Sequence, residues 1–167
     1  MAADFQDIDK GYSGVLDRIF EANNSFVEIG WFENEESKNK RNDPEGKPVI
    51  PKNVDIAIWN EFGTTRNGEQ HIPERSFVRS SHDENLKRTS KLIEREYGRI
   101  VDGQSTAKRS LGLIGLFVES YTKRKIVTLR DPPNAPQTIR KKKSDNPLVD
   151  TKQMGNSIVS KVTIKRE

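Results

Sequence analysis

Two proline-broken polar stretches constrain this chain more than any other feature. Residues 33–52, ENEESKNKRNDPEGKPVIPK, hold three prolines, and residues 131–147, DPPNAPQTIRKKKSDNP, hold four around a basic run. Proline lacks a backbone donor and clashes with the preceding helical turn, so neither stretch suits a regular helix or a central strand. Both read as long exposed loops, and regular structure is left to the segments on either side of them.

The first of those segments opens with a helical pattern. Phe5, Ile8, Tyr12, Val15, Ile19 and Phe20 recur at spacings of three and four over residues 5–22, which predicts an amphipathic helix in spite of Gly11 and Gly14. Asn23, Asn24 and Ser25 are expected to stop it. FVEIGWF then alternates Phe26, Glu28 and Gly30 against Val27, Ile29 and Trp31, as a half-buried strand does.

The middle segment predicts helix, turn and two further helices. Asn53 suits the N-cap of a short helix, VDIAIWNEFG, with Val54, Ile58 and Phe62 on one side, Ile56, Ala57 and Trp59 widening the apolar face, and Gly63 as a left-handed stop. Asn67-Gly68 predicts a tight turn, and Ile72 before Pro73 must be extended. A helix starting at Ser76 or Ser80 takes Phe77, Leu86, Leu92, Ile93, Tyr97 and Ile100 as apolar anchors. After Gly103 another begins at Ser105 or Thr106, with Ala107, Leu111, Ile114, Val118 and Tyr121 on its face and Leu113, Phe117 and Ile126 beside them. Gly112 and Gly115 would allow a second backbone to approach this helix. In the last segment TKQMGNSI predicts a short turn or helix, and SIVSKVTI alternates as a terminal strand. No internal repeat is present, and 167 residues suit a single domain.

Chemistry-bearing patterns are sparse. Without cysteine there is no disulfide, thiolate metal site or cysteine nucleophile. His71 and His82 lie apart from any ligand set, so no metal or other cofactor is expected. Glu33, Glu35, Glu36, Asp43 and Glu45 sit in a polar loop that offers no apolar pocket to raise a pKa. The sequence holds no nucleophile elbow or phosphate-binding glycine loop, and it reads as a non-enzyme. The N-terminus is acidic and polar, neither signal peptide nor anchor, so no membrane partner is expected.

Charge is distributed unevenly. Residues 1–104 carry a balance of −5 and residues 105–167 a balance of +9. That polarity fits nucleic-acid binding, head-to-tail packing of identical subunits, or a solvated surface. The basic runs Lys123-Arg124-Lys125 and Arg140-Lys141-Lys142-Lys143 have no interleaved aromatic for base stacking. Hydrophobic and charged residues each make up 32% of the chain, a lean apolar supply that suggests ordering by partners.

Three segments then stand out together: AIWNEFGTT at 57–65, HIPERSFVR at 71–79, and DPPNAPQTIRKKKSDNPLVDTKQMGNSIV at 131–159. As an ordered set spanning most of the chain they resemble the neck and tail-completion proteins of tailed bacteriophages. The motif residues are Glu61, Phe62, Gly63, Thr64, Pro73, Arg75, Phe77, Pro147, Leu148, Asp150, Thr151, Met154, Ser157 and Ile158. Lys152 departs from the pattern, which has Gly after the Asp-Thr pair.

The resemblance implies a small α+β subunit, with a small antiparallel sheet packed against two or three helices. It implies a virion protein, assembled in the bacterial cytoplasm, that forms a homo-oligomeric ring of six or twelve copies at the head-tail joint. Its partners there would be the head-connector and tail-tube or terminator proteins, with genomic DNA passing through the lumen. A tail terminator capping the tube is the alternative within this reading, and a DNA-binding accessory protein using the basic C-terminal third is the alternative outside it. Glu61 and Arg75 are expected to pair across the bend, with Phe77 as a packing anchor. The two loops are expected to be interaction arms, with Arg140, Lys141, Lys142 and Lys143 as electrostatic contacts.

Overall fold

The computed structural model describes residues 11–32, 41–42, 48–49, 51–149 and 152–165. Phe5 and Ile8, the acidic residues between 33 and 45, Asp150 and Thr151 lie outside the described residues. The chain runs α1 (Tyr12–Asn24), β1 (Phe26–Gly30), β2 (Arg41–Asn42), β3 (Pro48–Val49), α2 (Asn53–Phe62), β4 (Thr64–Arg66), β5 (Glu69–Ile72), α3 (Val78–Val101), α4 (Ala107–Thr128), α5 (Pro136–Lys142), α6 (Gln153–Asn156) and β6 (Val159–Thr163). It is an α+β fold in which three antiparallel ladders, β1–β6, β2–β3 and β4–β5, accompany the helices. No described helix is long and apolar enough to cross a membrane.

Helix α4 is the central element, packed against α3 and against the β1–β6 ribbon. Thr106 caps its start, the hydroxyl accepting from the Arg109 N–H. Helices α3 and α4 are antiparallel: Ser81 faces Thr122 near one end and Glu96 meets Ser110 near the other. The ribbon joins residues far apart in sequence, with Phe26 opposite Thr163 and Gly30 opposite Val159. It crosses α4 at Gly115, where an added Cβ would lie 2.6 Å from the Ser160 Cβ and 3.0 Å from Val27 Cγ2. The close approach expected at the glycines is therefore made at Gly115, whereas Gly112 has open space beside it.

The seam between α3 and α4 adds polar residues to the expected anchors, of which Phe77, Ile100, Ala107, Ile114, Tyr121 and Ile126 are buried. Its buried residues include Ser81, Thr89, Glu96, Ser110 and Thr122, while Leu86, Ile93, Tyr97 and Leu113 face outward. Small side chains such as Ser81, Ser110 and Thr122 let the two helices close in at the seam. Glu96 is fully buried there. Its carboxylate accepts from the Ser110 hydroxyl at 3.1 Å and from the guanidinium groups of Arg95 and Arg99.

Four further boundaries differ from expectation. Helix α1 continues through Asn23 and Asn24 and stops at Ser25, and it starts after Gly11, which is left-handed. Asn53 is the buried first residue of α2 rather than its cap. The Lys52 N–H is held instead by Asp55 Oδ2 at 3.0 Å. The 33–52 stretch contains the short β2–β3 ladder, in which Pro48 is tolerated because each strand has a free edge. The 131–147 stretch contains α5. Pro136 opens that helix at a position where a missing N–H costs nothing, so the prolines punctuate this segment without excluding helix.

Candidate functional site

The segments singled out in the sequence meet around the C-terminus of α2. Asn53, Ala57 and Glu61, spaced one turn apart, form its buried face, which places the Glu61 carboxylate against the start of α3. Glu61 Oε2 accepts from the Phe77 and Val78 N–H groups, both at 2.8 Å. Its Oε1 accepts from the Arg79 N–H at 3.1 Å, the Arg79 Nε at 2.9 Å and the Ser76 hydroxyl at 3.2 Å. A helix start presents unpaired donors and a positive dipole end, and here a carboxylate from the preceding helix fills both needs. Burial pushes the Glu61 pKa up, but the Val78 N–H and the Arg79 side chain outweigh it and hold the carboxyl below its ordinary range.

The expected Glu61–Arg75 pair is not formed. Arg75, only 4% exposed, donates to the Pro132 carbonyl at 2.9 Å, the Pro133 carbonyl and Asn134 Oδ1 at 3.2 Å each, and Asn60 Oδ1 at 3.4 Å. Its own N–H donates to the Asn60 carbonyl at 2.7 Å. Arg75 thus ties the 131–134 segment to the end of α2, and the anion it was expected to meet is taken by Arg79. Opposite charges in a sequence do not reveal that a carboxylate can be claimed first by backbone donors.

Gly63 separates α2 from the β4–β5 hairpin with φ 71° and ψ 175°, an extended mirror-image conformation rather than the expected left-handed cap. A Cβ there would sit 2.8 Å from the Ile72 carbonyl oxygen and 2.9 Å from the Glu74 nitrogen, so glycine is required on both counts. Thr64 enters the hairpin, whose two-residue turn is Asn67-Gly68, both at positive φ, as the sequence predicts. The ribbon ends at Ile72. Pro73 then leads to Arg75 and Phe77.

Phe77 is completely buried and is the largest member of a cluster with Ala57, Ile126, Leu148 and Met154. Trp31 meets its ring edge-on at 6.0 Å and donates its indole N–H to the Met154 carbonyl at 2.8 Å. Pro147, Leu148, Met154, Ser157 and Ile158 are all buried, so the C-terminal motif also lies inside the subunit. Lys152 has φ 60° and ψ 0°, so the left-handed turn is made despite the absence of glycine. Asn146 was missed by the sequence reading. Its Oδ1 accepts from the Leu148 and Val149 N–H groups, and its Nδ2 donates to the Val127 carbonyl at 2.7 Å. The Asp-Asn-Pro triplet was the available signal, because asparagine side chains commonly bond the backbone two residues on.

The outer surface of α2 differs. Ile58 is 49% exposed and Phe62 62% exposed, with the Arg79 guanidinium 5.0 Å above the Phe62 ring. Of the expected apolar face, Ile58 and Phe62 point away from the core, whereas Ala57 is buried in it and Ile56 packs against it. Arg140, Lys141 and Lys142 form the last turn of α5, and Lys143 ends it in the left-handed region. His71 and His82 are exposed, and no group of three or more metal-ligating side chains is found among the described residues.

Three buried carboxylates have altered titration. Burial raises each of Glu61, Glu96 and Glu119, and donors more than offset it: Ser110 and Arg95 at Glu96, Ser160 and Lys123 at Glu119. In all three the donors favour the carboxylate form, which suits an acceptor that joins elements. Comparisons of the chain with protein-family models, with characterised proteins and with solved structures return no match.

Proposed function

We propose that this chain is a structural subunit of a tailed-bacteriophage virion, forming a homo-oligomeric ring at the head-tail joint as a neck or tail-completion protein. The observation that carries the reading is the convergence of its three recognisable segments on one joint. Ala57 from the first, Phe77 from the second, and Leu148 and Met154 from the third pack together, and Glu61 and Arg75 lock the connections. A motif set that closes one core is what a conserved subunit architecture requires. Apart from the exposed Phe62, the motif residues with buried side chains then act inside the subunit, and the contacts between subunits fall to outer surfaces.

Those surfaces are present. Tyr12, Leu16 and Phe20 line the outer side of α1, and Ile58 and Phe62 that of α2. Two different apolar patches on one chain suit head-to-tail contacts, which close into a ring when the rotation permits. The subunit does no catalysis in this reading. It sits between the head connector and the tail tube and lets the genome pass.

Light scattering on the purified chain, with negative-stain microscopy, should give a closed ring with a mass of six or twelve copies. In a phage whose genome encodes the chain, a stop codon in its gene should leave full heads and tails unjoined. Joined particles of normal yield would refute the proposal, and joined tails of irregular length would assign the chain to the tail terminator instead.

A further inference from the structure

We propose that the end of the molecule built by the last turns of α4 together with α5 binds the phosphodiester backbone of duplex DNA. Two basic runs, 123–125 and 140–143, are brought to this end by the fold. Asn146 donates to the Val127 carbonyl of α4 at 2.7 Å, and the Lys142 ammonium donates to the Asn146 and Pro147 carbonyls at 3.2 and 3.3 Å. Arg124 lies one turn before Thr128, whose hydroxyl donates to the Arg124 carbonyl. The residues that follow α5 are thereby fastened to the end of α4.

Several of these cations have internal duties. Lys123 pairs with Glu119 and Lys125 with Glu84, Lys142 serves carbonyls, and Arg130 donates to the carbonyls of Val127 and Leu129. Arg124, Arg140, Lys141 and Lys143 remain, all exposed and without a described partner. The carboxylates of the same stretch, Asp131 and Asp145, are exposed and too few to neutralise them. Compensation of helix dipoles does not absorb the surplus, because a helix C-terminus carries only about half a negative charge and α5 alone ends in three cations.

The composition of the patch selects its partner. Lysine is depleted at protein interfaces, whereas a phosphate backbone is bound by Lys and Arg with little demand on geometry. Residues 123–145 contain no aromatic side chain, so bases are not stacked and binding is independent of sequence. This inference goes beyond the ring reading and stands without it.

The test is fluorescence anisotropy of the full chain with a mixed-sequence duplex of about 30 base pairs. Four phosphate contacts give a slope of roughly −3.6 in log K against log salt, a loss on the order of 100-fold between 50 and 200 mM. The triple substitution Arg140→Gln, Lys141→Gln and Lys143→Gln should bring the slope to about −1. Arg124→Gln alone should bring it to about −2.7, and this variant carries the test if the triple variant does not fold. Lys87→Gln with Lys91→Gln, exposed on α3, should change nothing. Absence of binding at 50 mM salt, or an unchanged slope in the variants, overturns the proposal. So does tighter binding of poly-glutamate that is lost in the same variants, which would make the patch a protein-docking surface.

Discussion

The two faces of α2 carry opposite chemistry to the usual arrangement, and they do different work. Turned inward, Asn53 and Glu61 flank Ala57, and Glu61 gives its carboxylate to the first N–H groups of α3. Turned outward, Ile58 and Phe62 meet no core. An inward carboxylate is stable because a helix start supplies charge-assisted donors that water would otherwise have to satisfy. An outward apolar stripe gains nothing in the isolated subunit and becomes useful only against another surface. The inner face holds the fold, and in the proposed ring the outer face is the one available for association.

The largest break in that contrast is expected at the inner core. Phe77→Ala removes a completely buried ring that packs against Trp31, Ala57, Ile126, Leu148 and Met154. It should cost about 3–5 kcal/mol in chemical denaturation. A loss under about 1 kcal/mol would mean that the three motif segments do not depend on this residue to stay together.

Glu61→Gln should cost about 2–3 kcal/mol, because the neutral amide leaves the donors of α3 and the Arg79 guanidinium poorly matched. Acid sharpens the same point. Glu61, Glu96 and Glu119 are each depressed on folding, so their contribution is fully present above the ordinary glutamate range and is lost as pH falls through the folded values. The thermal midpoint should therefore drop as the solution is acidified below roughly pH 5, and it should drop less steeply in Glu61→Gln. Equal pH dependence in both proteins would remove Glu61 from the stabilising set.

The same comparison explains what the sequence made legible. The Asn67-Gly68 hairpin, the Thr106 cap and the alternation of β1 and β6 are local chemistry, written within a few residues. The periodicity of α2 told which residues share a side, but not that the side with Glu61 would turn inward, since the donors that draw it in belong to residues 77–79. Arg75 had an obvious charged partner in sequence and found neutral oxygens on residues 132–134 instead. On α3 and α4 apolar periodicity found the buried Ile100, Ala107, Ile114, Tyr121 and Ile126, but it could not select Ser81, Thr89, Glu96, Ser110 and Thr122, which are buried beside them. What stayed hidden was decided by contacts between segments.

A smaller effect is expected where the chain departs from its motif. Lys152 occupies the left-handed region at φ 60°, which costs a non-glycine residue about 1–2 kcal/mol, while glycine would lose some of that advantage through unfolded-state entropy. Lys152→Gly should raise stability by about 0.5–1 kcal/mol. A decrease would show that the lysine side chain contributes a contact worth more than the strain.

The smallest effect on stability belongs to the outer face, and it is the one that separates the two roles of α2. Phe62→Ser gives up a mostly exposed ring and the Arg79 contact above it. An exposed cation–π contact is worth about 0.5–1 kcal/mol, and Arg79 keeps its bonds to Glu61 and Glu74, so unfolding should shift by no more than about 1 kcal/mol. Association should respond differently, because a ring of this size buried between subunits is the kind of residue on which binding energy concentrates. In the double variant Ile58→Ser and Phe62→Ser, light scattering should find the chain folded and shifted toward the monomer. If the mass distribution is unchanged while stability falls by more than about 2 kcal/mol, the outward stripe is part of the subunit core after all, and the division between the two faces of α2 fails.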